Sequence, residues 1–169
     1  MPDNQEVFLS TSGFTSLTID LCERVTSPST DAEALTFHFD DIVAEEDSKS
    51  IFARESDNRL PNFPNVVVSK LLATTKPPPP DPTRPPRANA STYVVILLAL
   101  VRLEIQMTDV VVTLNLPNIP GAQELVSEGE NVNFEEGTFS ATIQQGQEVL
   151  NEVLKSLEVK DWGLFGPGG

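Results

Sequence analysis

The chain has 169 residues, of which 25 are acidic and 11 basic, so its formal net charge is −14. This length fits one folded domain, and the 14 prolines predict a sizeable irregular segment. A charge of this sign repels phosphate backbones and anionic lipid surfaces, which argues against nucleic acid and membrane as partners. A basic protein surface is the natural electrostatic complement, although acidity by itself also serves solubility.

Cysteine usage and hydropathy favour a cytoplasmic or nuclear protein. Cys22 is the only cysteine, so an intrachain disulfide is impossible and a reducing compartment fits best. No basic-then-apolar signal segment opens the sequence. The longest apolar run, residues 93–103, is shorter than the roughly 18 residues of a membrane span.

A strand and a helix are predicted at the start of the chain. Residues 5–9 are a short strand candidate. The apolar residues that follow recur at helical spacing, which predicts an amphipathic helix; they are Phe14, Leu17, Leu21 and Val25. On this helix Asp20 and Glu23 share the opposite, exposed face, one turn apart. From spacing alone this is an ordinary solvated face, but Ile19 lies beside the carboxylates, and charge-rimmed apolar residues are typical of interfaces.

A second helix is predicted next. Thr30 and Glu33 have the spacing of a capping box. The apolar stripe consists of Leu35, Phe39 and Ile42. Alternation over 35–39 would also suit a strand, but the cap favours the helix. Acidic residues crowd its end and oppose the helix dipole, so we expect fraying near Ala44. They are Asp40, Asp41, Glu45, Glu46 and Asp47.

Three strands and a long loop follow. Residues 66–72 are rich in β-branched side chains and predict a strand. Residues 76–87, with four consecutive prolines, predict an extended polyproline-like loop. Residues 92–105 and 109–116 predict two long strands that pair antiparallel through a tight connection at 106–108.

The C-terminal part predicts a long helix and a short aromatic segment. From Thr138 onward, apolar residues recur at three- and four-residue steps, which is typical of a long amphipathic helix. Trp162, Leu164 and Phe165 then either dock back on the sheet, which we favour, or form an exposed patch.

The order of the elements predicts the fold class. Strands and helices without regular alternation indicate an α+β layer arrangement. We expect a single domain over 1–169, with a proline-rich loop at 76–87 and a flexible tail at 166–169.

Side chains for catalysis or metal binding are sparse. The chain has one histidine and one cysteine, whereas metal sites need clustered Cys, His or carboxylates. His38 fits a satisfied, partly buried structural role better than a catalytic one, although an enzyme that uses His38 with a carboxylate is the rival hypothesis. The acidic run at 40–47 lacks the ligand spacing and central glycine of a calcium loop. We therefore expect a binding protein without a cofactor, not an enzyme.

The proline-rich loop has two interpretations. Polyproline segments are ligands for domains with aromatic grooves, because their backbone is already ordered. They also serve as plain spacers. At 76–87 a spacer is the favoured interpretation.

Several segments resemble the Mog family of Ran-binding proteins, whose members are also called Ran guanine nucleotide release factors. The matching segments are residues 2–8 (PDNQEVF), 16–23 (SLTIDLCE), 37–41 (FHFDD), 99–103 (ALVRL), 108–111 (TDVV) and 161–165 (DWGLF). They span almost the whole chain in the family order, and the loops do not carry the resemblance. Family members have a further segment with a glycine-rich strand ahead of the motif that here starts at Pro2. We therefore expect an exposed sheet edge.

The resemblance implies a Mog/PsbP-like fold, with a central antiparallel sheet and helices on both faces. It implies binding to the small GTPase Ran, release of its guanine nucleotide and support of nuclear protein import. The residues expected to bind Ran, with Ile19 as an apolar contact, are Asp20, Glu23, Ile19, Asp3, Asn4, Gln5 and Glu6. We expect a monomer in the nucleus and cytoplasm. The alternative is an acidic interaction domain of the PsbP-like fold whose partner is not Ran.

Overall fold

The computed structural model describes residues 4–27, 30–57, 60–83, 85 and 87–165. The predicted tail at 166–169 therefore lies outside the described residues. In chain order the strands and helices are β1 (Gln5–Leu9), β2 (Ser16–Glu23), α1 (Asp31–Ile42), β3 (Ser48–Asp57), β4 (Val68–Lys76), β5 (Tyr93–Leu103), β6 (Thr108–Asn118) and α2 (Ala141–Ser156). A short 3-10 helix, Trp162–Phe165, follows α2.

The described strands form one sheet with the order β1-β2-β6-β5-β4-β3. Every neighbouring pair is antiparallel. One face packs against α1 and the other against α2. The predicted α+β class, with a central antiparallel sheet between helices, is confirmed.

The central strand β5 explains the longest apolar run of the sequence. Its residues alternate between the two faces of the sheet. Leu97 and Val101 belong to the core cluster on the α2 side, whereas Leu98 and Leu100 belong to the cluster on the α1 side. A strand covered on both faces needs apolar residues at every position. Among the described residues, no helix has the length and apolar character that crossing a membrane requires.

The predicted N-cap of α1, Thr30, is confirmed, but among the described residues the Glu33 side chain bonds to the Thr30 hydroxyl and not to the Thr30 N–H of a full capping box. The Thr30 hydroxyl oxygen accepts a hydrogen bond from the Glu33 N–H at 3.3 Å and donates one to the Glu33 carboxylate at 2.6 Å. The helix ends at Ile42, two residues before the expected fraying point. Ile42 is 42% exposed, so its predicted place in the apolar stripe is wrong, and Val43 is buried instead. The extended backbone after Ile42 turns Val43 inward.

The predicted long C-terminal helix is confirmed as α2. Ser140 is its N-cap and accepts a hydrogen bond from the Ile143 N–H at 3.3 Å. Gly146 faces the sheet so closely that a Cβ there would lie 2.7 Å from a methyl carbon of Leu116. The absence of a side chain at this position therefore sets how near α2 lies to the sheet.

The C-terminal aromatic residues dock on the domain, as favoured. Trp162 makes an edge-to-face contact with Phe63, at 6.3 Å between ring centroids. Phe165 packs against the α2-side core cluster. Trp162 keeps 39% of its surface exposed. The side chain of Leu164 is not among those that the structure describes.

The predicted helix from Phe14 is wrong, because residues 16–23 form strand β2. Leu17, Ile19 and Leu21 alternate with polar residues, so the sequence also has the two-residue period of a strand. Pairing with β1 on one side and β6 on the other decides between the two patterns. Ile19, which lies outside the helical stripe, fits the strand pattern.

Two further strands differ from the prediction. β3 (Ser48–Asp57) was not predicted, because it is an edge strand of mixed polar composition without an apolar run. The strand predicted at 66–72 is β4, which begins at Val68 and extends to Lys76. The predicted antiparallel strands around 106–108 are confirmed as β5 and β6.

Filling the space at Gly146 tests the packing of α2. Gly146→Val should lower the free energy of unfolding by about 1–3 kcal/mol, because the added methyls overlap Leu116 and Leu97. Gln145→Val adds the same side chain on the exposed side of α2 and should cost less than about 1 kcal/mol. Urea unfolding of both variants measures the difference. If Gly146→Val were as stable as the wild type or more stable, the packing explanation would be wrong, because the better helix propensity of valine would by itself raise stability slightly.

Candidate functional site

The start of β1 and the end of β2 meet at one corner of the sheet. We call this surface, formed by Asn4–Glu6 and Asp20–Glu23, the acidic corner. The Gln5 side-chain amide donates to the Asp20 carboxylate at 2.6 Å. The Asn4 amide donates to the Leu21 carbonyl at 3.0 Å, and the Leu21 N–H donates to the Asn4 carbonyl at 2.8 Å. The predicted site residues of both segments are therefore brought together, except Asp3, which lies outside the described residues.

Asp20 and Glu23 lie on opposite faces of the sheet, so the predicted shared face is wrong. Residues of a strand alternate between faces, and these two are three positions apart. Asp20 pairs with Val111, a member of the α1-side cluster. Glu23 projects to the α2 side, the side of Ile19. The error follows directly from treating β2 as a helix.

Ile19 is not an exposed apolar residue of the corner. It is partly buried and packs against the α2-side core cluster. The exposed apolar residue here is Leu21, with 38% of its surface accessible. By strand alternation it shares the α2 side with Glu23 and Glu6. An apolar side chain rimmed by carboxylates is therefore present, but Leu21 provides it.

On the α1 side, Cys22 connects the corner to a carboxylate that the sequence interpretation missed. Burial raises the pKa of the Cys22 thiol, and the negative charges of Asp20, Asp109 and Asp41 raise it further. Asp41 belongs to α1 and is exposed. The charges of Asp20 and Asp41 therefore both act on Cys22 from the α1 side, although the two residues are 21 positions apart in the chain. In the sequence, the only indication that Asp41 belongs near the corner was the resemblance of residues 37–41 to the family.

Beneath the corner lies a fully buried carboxylate, Asp109, in β6. Its Oδ2 accepts hydrogen bonds from His38 Nε2 and from the Val25 N–H, both at 3.0 Å. Its Oδ1 accepts from Arg102 Nε at 3.2 Å. Burial by itself would raise the pKa of Asp109, but these hydrogen bonds and the charge of Arg102 outweigh it and lower the pKa.

Arg102 extends this network to the start of α1 and to the segment after β2. It donates to the Asp31 carboxylate at 3.0 Å and to the carbonyl of Val25. Arg24, the residue before Val25, forms an ion pair with Glu104 at 2.7 Å. The end of β2 is thus fixed to α1, β5 and β6. In the sequence, a charged Arg102 within an apolar run indicates such a buried network, because a buried charge needs partners.

His38 has the structural position expected for it. It is 5% exposed and bonded to a buried carboxylate. Since an ionised carboxylate only accepts, His38 Nε2 carries the hydrogen in this bond. Among the described residues, no group of three or more His, Cys, Asp or Glu side chains has the geometry to hold a metal ion.

Removing the buried charge tests the network. Asp109→Asn should destabilise the protein by about 3–5 kcal/mol near neutral pH, because Arg102 and His38 lose their buried partner. The folded pKa of Asp109 is lowered, so its stabilisation is present above the unfolded value and fades as the pH falls below about 4.

Urea unfolding of the wild type and Asp109→Asn across pH 3–7 measures this difference. The exposed Glu135 provides the control, since Glu135→Gln removes one negative charge without affecting the network. A destabilisation that stays constant down to pH 3 would contradict the assigned role of the charge.

Comparison with known proteins defines the family. The family model described as Ran-interacting Mog1 protein matches residues 1–117. The Ran-binding protein Mog1p of Saccharomyces cerevisiae has a similar structure, with a TM-score of 0.66, 23% identity, and coverage of 98% of this chain and 84% of that chain. A mutant of Mog1 in which a glutamate is replaced by alanine gives a TM-score of 0.65 at 22% identity, covering 98% and 85%.

At these identities the solved structures establish a common fold. Curated protein sequences give no significant match. The family model covers more than half of the chain. The chain belongs to the Ran-interacting Mog1 protein family.

Proposed function

We propose that this protein binds the small GTPase Ran through the acidic corner, promotes release of its guanine nucleotide and thereby supports nuclear protein import. The observation that carries the proposal is the meeting of Asp20 and Glu23 with Asn4–Glu6 at one corner. The family description as Ran-interacting supports the identity of the partner.

Electrostatics support a basic partner surface at the corner. Asp20 and Asp41 lie on its α1 side, while Glu6 and Glu23 lie on its α2 side. The net charge of −14 adds a long-range field that would speed encounter with a basic surface. Leu21 supplies apolar area between the carboxylates. A charged rim around an apolar residue is typical of protein interfaces.

The geometry restricts how one partner can contact both predicted carboxylates. Asp20 and Glu23 lie about 10 Å apart along β2 and point to opposite faces. A partner that lies flat on one face meets only one of them. Contact with both side chains requires a partner that reaches around the sheet edge at the start of β1. At this point the main chains of Asn4 and Leu21 are hydrogen-bonded to each other. We therefore propose that Ran straddles the edge of the sheet.

Nucleotide release follows from linkage and needs no covalent chemistry. A protein that prefers nucleotide-free Ran must weaken nucleotide binding by the same factor. GTPases hold nucleotide through Mg²⁺ and the lysine of the phosphate loop. A carboxylate delivered by the corner would compete for that lysine or disturb the magnesium shell. We propose further that the protein acts as a monomer. We also propose that it is present in the nucleus and the cytoplasm, and imaging of a fluorescent fusion would test this location.

Charge reversal tests the proposed contact. Asp20→Lys and Glu23→Lys should each weaken Ran binding, and the double variant should lose about 2–5 kcal/mol of binding free energy. Calorimetry with nucleotide-free Ran measures affinity, and release of labelled GDP and GTP from Ran measures the activity. A straddling contact predicts that both single variants are affected.

The matched control is the double variant Glu135→Lys with Glu136→Lys, which changes net charge equally at two exposed positions outside the corner. It should retain affinity apart from a small, salt-dependent loss. If only one of the two corner variants weakens binding, Ran lies on one face and the straddling arrangement is wrong. If the control loses as much as the corner variant, or wild type does not bind Ran, the proposed site or partner is wrong.

A further inference from the structure

The connection between β4 and β5 is much longer than the sheet requires. These strands are antiparallel neighbours, and about two to five residues suffice to join such a pair. Here residues 77–92, sixteen in all, separate Lys76 from Tyr93. Loops of this length are usually functional or disordered. Joining β4 to β5 therefore does not explain the length of this loop.

The first half of this connection has a strongly restricted backbone. Pro77–Pro80 and Pro82 have their φ angles fixed near −65°. Each residue that precedes a proline is pushed toward the extended polyproline region. Lys76, Pro79 and Pro82 then share one edge, because a polyproline helix has three residues per turn. All three are exposed.

A turn separates these prolines from the later ones. The Asp81 carboxylate accepts hydrogen bonds from the Thr83 N–H at 2.9 Å and from the Thr83 hydroxyl at 2.7 Å. The hydroxyl bond, followed by the backbone bond, lowers the pKa of Asp81, so this carboxylate is ionised at neutral pH. The extended proline segment therefore ends in this turn, and Pro82 lies within it.

The charge of the loop opposes that of the rest of the chain. Residues 76–87 contain three basic residues and one acidic residue, a net charge of +2 in a chain of net −14, although Arg84 and Arg87 follow the turn and the segment from Lys76 to Pro82 itself carries only Lys76 and Asp81. Lys76, which lies three residues before Pro79, places a positive charge on the ligand edge. A partner with an aromatic groove and an acidic pocket is complementary to this pattern.

We propose that the segment from Lys76 to Pro82 is a docking site for an SH3 domain. SH3 domains bind two prolines three residues apart and recognise a flanking basic residue through an acidic pocket. WW domains favour a tyrosine soon after the prolines, and the only tyrosine of this chain is Tyr93. EVH1 domains favour an aromatic residue just before the prolines, where this chain has Thr75 and Lys76.

An SH3 domain at this loop would not compete with a partner at the acidic corner. The loop leads into β5 at Tyr93, which pairs with Asn118 at one end of the central hairpin. Glu23 pairs with Thr108 at the other end. Eleven residues of strand separate these ends by about 33 Å. The docking site is therefore independent of the proposed Ran contact.

Calorimetric titration of the full chain with isolated SH3 domains that prefer the order basic-x-x-Pro-x-x-Pro tests the proposal. Pro79→Ala with Pro82→Ala should weaken binding at least about tenfold, or ~1.4 kcal/mol. Lys76→Glu should weaken it by a similar factor. The matched control, Pro77→Ala with Pro80→Ala, removes two prolines from a different edge of the polyproline helix and should change affinity less than about twofold.

WW and EVH1 domains are titrated in parallel. Absence of binding by every SH3 domain, preferential binding by WW or EVH1 domains, or equal losses in the two double variants would overturn the proposal. All three variants should retain the wild-type affinity for Ran. Loss of SH3 binding with Ran binding intact therefore separates the two sites.

Discussion

The buried carboxylate of Asp109 is the interaction on which the rest of the structure depends. It joins β6 to α1 through His38, to β5 through Arg102 and to the segment after β2 through the Val25 N–H. Removing a carboxylate from water is costly unless hydrogen bonds and opposite charge compensate. Here three donors converge on it, and the lowered pKa shows that they more than offset its burial. One buried charge thereby fixes one end of the sheet against α1.

This network also holds the end of β2 in place near the exposed edge of the sheet. β1 has only five residues, and Phe8 and Leu9 are largely exposed, so it contributes little burial of its own. The end of β2 is nevertheless held, because Arg24 and Val25 bond to the turn and network that follow β5. The carboxylates of the acidic corner therefore stand on a supported strand end, and binding there would need less ordering than on a free loop.

The sequence predicted those parts of the fold whose local pattern agrees with their tertiary environment. The capping box located α1, the 3.6-residue period located α2, and the apolar run with its turn located the central hairpin. β2 was mispredicted, since the spacing of Leu17 and Leu21 satisfies both a helix and a strand, and only pairing with β6 distinguishes them. β3 was missed because an edge strand needs no apolar run.

The sequence predicted which residues meet at the acidic corner, but not how they are arranged there. Asp20, Glu23, Asn4, Gln5 and Glu6 were singled out, and the structure places them at one corner. Their faces could not be predicted without the strand assignment. Asp41 and Asp109 were missed because they reach the site only through the packing of α1 and the register of β6. Such contacts depend on tertiary structure and leave no fixed spacing in the sequence.

Amide hydrogen exchange of this protein, with and without nucleotide-free Ran, tests the central claim most directly. Exchange reports the opening of each hydrogen-bonded segment, so a bound partner slows it where it covers or stabilises the chain. We expect slower exchange at Asn4–Leu9 and Asp20–Val25 when Ran is bound. We expect little change in the exposed turns of α2 and in β3. Protection confined to α2, or to β3 and β4, with the acidic corner unaffected, would contradict the proposed contact.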